Sequence, residues 1–327
     1  MQSFVQNSTP LTRAITTFDE LAQAIKAFPK KKVAVAAAQD AAVLTAVNDA
    51  RQGGIADYIL VGDRDKILKL ATELNIKLDE SAIVHEPNDI EAAGCAVKMV
   101  SEGKADILMK GYIHSDDYLR AVLNKDWGLR AGPTMSHVFI WEALRYGRLI
   151  FVTDGAMNVA PDLVTQANII MNAVYLAHVF GVVEPKVALL AAVEMVNPSM
   201  PATVNAACLA KMNDRCQYSE SFKIDGPLAL DNALSPESAA HKKISGPVAG
   251  HADILIVPDI ESGNMLAKSF VYLTGGDMAG ILVGAKAPVV LTSRSDSSRS
   301  KLFSIAAAVL MSGAARNLWL KIGKVHY

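Results

Sequence analysis

The chain has 327 residues, a length that is long for one hydrophobic core and fits two domains. Of these residues 51% are hydrophobic and 20% are charged, as in an ordinary soluble globular protein. The 32 lysines and arginines nearly balance the 33 aspartates and glutamates. This balance leaves no overall basic field, which argues against nucleic acid as the main partner.

Neither the cysteines nor the apolar runs indicate export or a membrane. The three cysteines, Cys95, Cys208 and Cys216, form no C-x-x-C pair and show no metal-ligand spacing, which favours a reducing compartment. No apolar run is long enough to span a bilayer, and residues 1–18 lack the apolar core of a signal peptide. We therefore expect a cytoplasmic protein without a metal site and without a membrane partner.

The first part of the chain alternates apolar strands with helical segments. The pattern predicts strands over 33–37, 58–61, 83–84 and 107–109, and helices over 18–28, 41–50, 64–74 and 90–100. Such alternation implies βαβ units and a largely parallel sheet. No G-x-G-x-x-G follows the first strand, so the dinucleotide-binding fingerprint is absent there.

A lysine and a histidine follow the strand at 107–109. Ligands of open α/β sheets bind outside the carboxyl ends of the strands, so Lys110 is a candidate point charge for phosphate. The alternative for Lys110 is a surface cation. His114 lies in the turn before Ser115, where a helix is expected to start, and it is either a ligand contact or a solvated loop histidine.

The next segment predicts a helix over 137–146 that Ser136 could cap. His137 would then lie in the first turn, where the helix dipole disfavours a cationic imidazole. We therefore expect a neutral His137 that can donate or accept a hydrogen bond.

The second part of the chain repeats the strand–helix pattern. It predicts strands over 149–152, 187–191 and 222–224, and helices over 161–180, 201–212 and 237–243. Two loops carry Asp-Gly pairs, at Asp154 and Asp225, which we interpret as loop-forming turns.

The best domain boundary lies between a predicted helix end and a new strand, at residues 146–148. We expect a first α/β domain of residues 1–147 plus 295–327 and a second of residues 148–294, with a ligand cleft between them.

Two buried-type strands, at 254–257 and 289–291, each end in a polar loop that opens a helix. The first loop carries Asp259, then Gly263, which lets the backbone turn or approach a ligand closely. Asn264 and Lys268 are four residues apart and share one helix face. The alternative for Lys268 is an ordinary helix-surface lysine.

The second loop runs from Ser293 to Ser300 into a predicted helix over 301–311. Free N–H groups and the helix dipole favour negative charge at such a position, and Arg294 supplies a planar fork for phosphate oxygens. The serines are equally typical of caps and turns. The neighbouring polar loop favours an anion site.

These blocks resemble the phosphate acetyltransferase/phosphate butyryltransferase family over nearly the whole chain. The most specific are V-P-D-I-E-S-G-N-M-L-A-K at Val257–Lys268 and A-G-I-L-V-G-A-K-A-P-V-V-L-T-S-R at Ala279–Arg294. Other matching blocks, in order, are Lys110-Gly111 with His114, Ser136-His137, Asp154-Gly155-Ala156 with Asn158, Asp225-Gly226-Pro227 and Ala239–Gly250. The segments Val193–Thr203 and Asp225–Ala233 look more like the butyryl branch than the acetyl branch.

The resemblance implies a reversible acyl transfer, in which acyl-CoA and phosphate give acyl phosphate and free CoA. It also implies two three-layer α/β domains with mainly parallel sheets, similar to isocitrate/isopropylmalate dehydrogenases, and an interdomain active site. A homodimer is expected, with no metal and no tightly bound cofactor, because CoA is a substrate or product.

The resemblance also implies roles for the candidate residues. Arg294 would hold phosphate beside the thioester, and Ser293 would add a hydrogen bond. Asn264, Ser136 and His137 are candidates for stabilising the oxyanion. The remaining candidates for substrate binding are Lys110, His114, Lys268 and Asp259.

At the position of the general base this chain departs from the acetyl-branch pattern. The acetyl branch has an aspartate six residues after the arginine, held to be the base, but this chain has Ser300 there. Asp296 is the nearest carboxylate, as in the butyryl-type pattern, and is a candidate base for the CoA thiol. Its alternatives are an ion pair with Arg294 or Arg299, or a cap on the next helix.

Two other functions compete with acyl transfer. One is a catalytically silent protein that binds CoA or acyl phosphate, since Ser300 replaces the acid of the acetyl branch. The other is a nucleotide-dependent dehydrogenase of similar fold, against which the missing glycine fingerprint counts.

Overall fold

The structure, a computed structural model, describes residues 11, 13–219, 221–313 and 325–326. Residues 1–10, part of the segment assessed for a signal core, and residues 314–324 of the predicted first domain lie outside the described residues. Within the described chain the strands are β1 (Lys31–Ala36), β2 (Ala56–Gly62), β3 (Ile83–His85), β4 (Ile107–Lys110), β5 (Ser136–Ala143), β6 (Arg148–Thr153), β7 (Lys186–Leu190), β8 (Lys223–Leu228), β9 (Ile254–Ile256), β10 (Met278–Val283) and β11 (Val289–Val290). The α-helices are α1 (Phe18–Ala24), α2 (Ala41–Gln52), α3 (Arg64–Glu73), α4 (Asp89–Ser101), α5 (Ser115–Val122), α6 (Leu163–Val179), α7 (Pro201–Asp214), α8 (Leu230–Leu234), α9 (Pro236–His241), α10 (Ile260–Thr274) and α11 (Ser298–Gly313).

The contacts divide the described chain into two compact units. The first comprises residues 18–132 and 277–313, and the second comprises residues 11, 13–17, 133–219, 221–276 and 325–326. The domain limits expected from the sequence, at residues 148 and 294, stay a prediction.

In the first unit the strands run in the order β3-β2-β1-β4-β11-β10. Neighbouring strands from β3 to β11 are parallel, whereas β10 pairs antiparallel with β11. All four residues of β4 are buried, as expected for a central strand covered on both faces. The carboxyl end of β4 therefore opens in the middle of this sheet, where the candidate residue Lys110 lies.

Helix α11 is a buried helix of the first unit. Its Phe303 ring stacks on Phe18 of α1, with ring centroids 4.3 Å apart. Two small residues face β10: Ser300 Oγ accepts a hydrogen bond from Met278 N at 3.4 Å, and Ser304 Oγ accepts one from Gly280 N at 3.0 Å. Ser300 is consequently part of the helix–sheet packing.

In the second unit the strands run in the order β5-β6-β9-β7-β8. The strands from β6 to β8 are parallel, and β5 pairs antiparallel with β6. Most of α6 is buried, which fits its largely apolar sequence. Both units thus confirm the predicted α/β class with mainly parallel strands.

The predicted helix over 137–146 is wrong, because residues 136–143 form strand β5. The sequence S-H-V-F-I-W-E-A is rich in β-branched and aromatic residues, which favour strands. It pairs with β6 from Val138 opposite Thr153 to Ala143 opposite Arg148. The connecting turn uses Gly147 at a φ of 62°, a conformation that glycine adopts without strain. The helix-dipole argument for a neutral His137 therefore does not apply.

Strand β10 was not predicted. Its sequence, M-A-G-I-L-V, is a short apolar run that periodicity alone cannot assign to a strand or a helix.

Among the helices that the structure describes, none combines the length and the apolarity that crossing a membrane requires.

Gly111 allows the chain to pass close to β1 directly after β4. Its N–H donates to Ala36 O at 2.8 Å, and a Cβ added to Gly111 would lie 2.5 Å from that oxygen and closer still to Ala37 O.

We expect Gly111→Ala to lower the free energy of unfolding by about 1–3 kcal/mol, since backbone atoms must move. Urea denaturation measures this. Gly132→Ala is the control, because its nearest atom would be Gly284 O at 3.9 Å; equal losses in both variants would contradict the expectation.

Candidate active site

Lys110 is a buried cation at the carboxyl end of β4. Its side chain is 2% exposed, and its Nζ donates to Gly111 O at a long 3.5 Å. Within the described part of the chain, no carboxylate forms an ion pair with this ammonium. Burial lowers the pKa of Lys110 to about 8, and the charges of Arg294 and Lys301 lower it as well, while the carboxylates of Asp296 and Asp40 partly offset this. A buried ammonium without an ion-paired carboxylate is suited to receive an anion.

The loop after β11 begins with a closed turn from Ser293 to Asp296. Ser293 N donates to Asp296 Oδ2 at 2.7 Å, and Asp296 N donates to Ser293 O at 3.2 Å. Ser293 Oγ lies 3.0 Å from Ser295 Oγ. The Asp296 carboxylate thus has a structural task in this turn, and Arg294 lies between the two tethered residues.

Arg294 is exposed on this turn, with its guanidinium 5.8 Å from the centroid of the Tyr112 ring. That distance is within the range of a cation–π contact, which orients the planar fork. The second arginine of the loop, Arg299, instead pairs with Asp277 at 2.7 Å. Ser297 Oγ accepts the Ser300 N–H at 3.0 Å, so the residue that caps α11 is Ser297 rather than Asp296.

A cleft of about 440 Å³ opens beside Arg294 in the first unit. His114 and Asp117 contribute polar groups, and Ile90, Ile113 and Tyr112 contribute apolar surface. The cleft brings His114 and Arg294 to one surface. Its mixed lining suits a ligand with both apolar and charged parts.

In the second unit, Asp154 organises the loop after β6. Its buried carboxylate accepts hydrogen bonds from Ala156 N at 3.0 Å and Met157 N at 3.1 Å, and from Asn158 N at 3.2 Å and Asn158 Nδ2 at 2.6 Å. Asn158 Nδ2 also donates to Met135 O at 2.9 Å. This arrangement agrees with the interpretation of Asp154 as a loop-forming residue.

Asn264 lies in the first turns of α10, against the same loop. Its Nδ2 donates to Gly155 O at 3.1 Å. The two backbones touch through glycines, since a Cβ added to Gly263 would lie 2.9 Å from Gly155 Cα and 2.6 Å from Asp154 O. Glycine is required there by the close approach of another backbone segment, whereas the sequence suggested a turn or the approach of a ligand.

The other candidates of the second unit differ in exposure. Ser136 is buried, and its Oγ accepts a hydrogen bond from Asn172 Nδ2 at 3.0 Å. His137 is buried too, and its ring packs edge-on against the ring of Phe139, with the ring centroids 4.3 Å apart. Asp259 caps α10 by accepting from Ser262 N at 2.8 Å, whereas Lys268 is exposed on that helix.

The predicted residues therefore form two groups, each within one unit. The first unit holds Lys110, His114, Ser293, Arg294 and Asp296, and the second holds Ser136, His137, Asp259, Asn264 and Lys268. Sequence reasoning missed Tyr112 and Lys301. Tyr112 could have been identified as a candidate from its position two residues after the end of β4. Over the described residues, no cluster of three or more His, Cys, Asp or Glu side chains could hold a metal ion.

Comparisons with known proteins agree with these features. The sequence matches the family described as phosphate acetyl/butaryl transferase over residues 16–93 and 81–309. It is 50% identical to the phosphate butyryltransferase of Clostridium acetobutylicum over 299 residues, which cover 91% of this chain and 99% of that protein. It is 41% identical to the phosphate acetyltransferase of Rhizobium meliloti over 299 residues, 91% of this chain and 94% of that protein.

A solved structure shows the same likeness. The branched-chain phosphotransacylase from Enterococcus faecalis matches with a TM-score of 0.73 and 36% identity, covering 87% of this chain and 99% of that one. The resemblance stated from the sequence, including its closer likeness to the butyryl branch, is confirmed.

The two Asp-Gly loops offer a matched test of the structural role of Asp154. Asp154→Asn places an amide N–H against N–H donors, so we expect a loss of about 1–3 kcal/mol in the free energy of unfolding. Asp225→Asn is the control, because Asp225 is half-buried, accepts only from Gly226 N at 2.8 Å and has a pKa raised by burial. Urea denaturation at neutral pH should show a small change for Asp225→Asn. Equal unfolding midpoints of the two variants would refute the assignment.

Proposed function

Because this chain belongs to the phosphate acetyltransferase/phosphate butyryltransferase family, we propose that it transfers a short-chain acyl group reversibly between coenzyme A and inorganic phosphate. In one direction a phosphate oxygen attacks the thioester carbonyl carbon, the C–S bond breaks, and the CoA sulfur leaves and takes up a proton. The observation that carries the proposal is the exposed Arg294 on a closed turn beside the buried Lys110.

We assign phosphate binding to Arg294 and Lys110. The planar guanidinium of Arg294 can bind two phosphate oxygens at once, and the turn from Ser293 to Asp296 limits its positions. Lys110 adds a point charge that is poorly solvated in the absence of an anion. Ser293, at the start of the same turn, would add a hydroxyl hydrogen bond.

The negative charge of the tetrahedral intermediate requires hydrogen-bond donors. We assign this role to Asn264, Ser136 and His137. An asparagine amide has two N–H donors, and Gly155 O accepts one from Asn264. Ser136 Oγ accepts from Asn172, which leaves its hydroxyl proton for a donor bond.

The remaining assignments concern proton transfer and substrate contacts. In the direction that consumes acyl phosphate, we propose that Asp296 accepts the CoA thiol proton, because the thiolate is the nucleophile. Ser300 is buried against β10, and its hydroxyl cannot replace the carboxylate that the acetyl branch has at this position. We propose substrate contacts for His114, which lines the cleft, for the exposed Lys268, and for Asp259 at the start of α10.

We further propose that acetyl, butyryl and branched-chain acyl groups are accepted, as the names of the relatives suggest. A cytoplasmic homodimer stays a prediction, as do the two domains of residues 1–147 plus 295–327 and 148–294. The alternative is a silent CoA-binding protein, favoured by Ser300 at the position of the acetyl-branch acid. Tight CoA binding without phosphate-dependent thiol release from any of these acyl-CoAs would favour that alternative.

The role of Arg294 can be tested against the second arginine of the same loop. With butyryl-CoA and phosphate, we expect Arg294→Ala to lower kcat/KM for phosphate by roughly 100-fold, since a hydrogen bond to a charged group is lost. Release of free CoA thiol measures the rate.

Arg299→Ala is the matched control, because Arg299 pairs with Asp277 and not with the turn. We expect its kcat/KM for phosphate to stay within about threefold of the wild type, as for most surface substitutions. Unchanged kinetics in Arg294→Ala, or equal losses in both variants, would remove Arg294 from the phosphate site.

Lys110 predicts a pH dependence. Its pKa is lowered to about 8, so the ammonium is charged below this pH and neutral above it. Only the charged form of Lys110 attracts phosphate. The pH dependence of kcat/KM reports the pKa values of groups in the free enzyme. We therefore expect kcat/KM for phosphate to fall, by up to about tenfold per pH unit, as the pH rises through the pKa of Lys110, and to level off at the value of the neutral form.

Lys110→Met should lack this alkaline limb and have a lower kcat/KM at neutral pH. Lys286→Met is the control, because Lys286 Nζ donates to Gly128 O at 3.3 Å away from the turn; it should retain the limb. An alkaline limb that persists in Lys110→Met would assign the titration to another group.

A further inference from the structure

Lys301 is a second buried cation in the first unit, and the sequence pattern gave it no role beyond a helix position. It lies in the first turn of α11 and is 2% exposed. Lysines are rarely buried unless they are paired, and the amino-terminal turn is the end of a helix where the dipole disfavours a cation. Its position is therefore costly on two counts, and another interaction must offset the cost.

The contacts of the Lys301 ammonium show what offsets this cost. Its Nζ donates to Asp296 O at 2.6 Å and to Ser293 O at 3.2 Å. These two carbonyls belong to the first and last residues of the turn that carries Arg294. A single ammonium therefore ties both ends of the turn to α11.

These bonds add to those that the turn makes with itself. Ser293 N donates to Asp296 Oδ2, and Asp296 N donates to Ser293 O. Arg294 itself is exposed and has the Tyr112 ring as a neighbour at 5.8 Å. The direction of its guanidinium therefore depends largely on the shape of the backbone that Lys301 holds.

Lys301 also contributes to the local field. Burial lowers the pKa of Lys301, while the carboxylates of Asp296 and Asp40 raise it. The charge of Lys301 also acts on Lys110, together with that of Arg294 and against those of Asp296 and Asp40.

We propose that Lys301 is a positioning residue for phosphate: its ammonium holds the turn from Ser293 to Asp296 in the shape that presents Arg294 to the anion, without contacting the substrate itself. This inference rests on the proposed acyl transfer for its kinetic consequence. Its structural consequence, a preformed anion site, does not depend on turnover.

Steady-state kinetics of Lys301→Met separate positioning from a general structural role. Methionine keeps a similar length but donates no hydrogen bond. With the full chain, butyryl-CoA and phosphate, we expect KM for phosphate to rise about tenfold or more and KM for butyryl-CoA to change less than about twofold. A structural role alone would lower activity without this difference between the two KM values.

Lys301→Gln and Lys286→Met complete the set. The glutamine amide can donate to one of the carbonyls without charge, so we expect a KM for phosphate between those of the wild type and Lys301→Met. It also serves as the test variant if Lys301→Met does not fold. Lys286→Met removes one lysine–carbonyl bond, from an exposed lysine that precedes β11 to Gly128 O, and should leave both KM values unchanged.

Thermal unfolding with inorganic phosphate gives a readout that needs no catalysis. Ligand binding raises the melting temperature of the wild type according to its affinity, and we expect this shift to be largely lost in Lys301→Met and retained in Lys286→Met. A wild type stabilised by phosphate but inactive with acyl-CoA would contradict the proposed function and leave the anion site intact. An unchanged KM for phosphate together with an unchanged thermal shift in both Lys301 variants would overturn the role of Lys301.

Discussion

The burial of two lysine ammoniums near the carboxyl end of β4 is the constraint on which the candidate anion site depends. Desolvation of a charge is unfavourable unless polar partners replace water. Lys301 has two carbonyl partners at the ends of one turn, and this arrangement forms the turn that carries Arg294. Lys110 has one long contact to a carbonyl. The protein itself thus supplies the hydrogen-bond partners of the Lys301 ammonium, whereas a bound anion would supply those of the Lys110 ammonium.

The sequence was a good guide to the parallel strands and their helices, because each forms a short apolar run or an amphipathic segment bounded by polar loops. It was a poor guide to the antiparallel strands. For β5, the interpretation as a capped helix gave weight to Ser136 and too little to the β-branched and aromatic residues that follow. For β10, the buried run carries no periodicity, and pairing with β11 is what defines it as a strand.

The sequence could indicate a candidate residue where its place at the end of a strand is readable, as for Lys110 and Arg294. It could not indicate one whose candidacy depends on a contact with the backbone. The contacts of Lys301 with two carbonyls leave no pattern of residue types. Likewise Asp154 and Asp225 share the same Asp-Gly sequence, but the first is buried with four hydrogen bonds and the second is half-buried with one. Burial is a tertiary property, and it distinguishes the two.

The glycine contact between the loop after β6 and α10 has a mechanical consequence. With no Cβ atoms between Gly155 and Gly263, the two backbones meet directly, and the Asn264 amide bonds to the same loop. The contact between the two glycines is backbone to backbone, so no rotamer change at these positions can absorb a displacement, and the side chains of Phe139 and Val257 pack beside it. A displacement of the start of α10 by a fraction of an ångström must therefore carry the loop after β6 with it, so the two segments move as one piece.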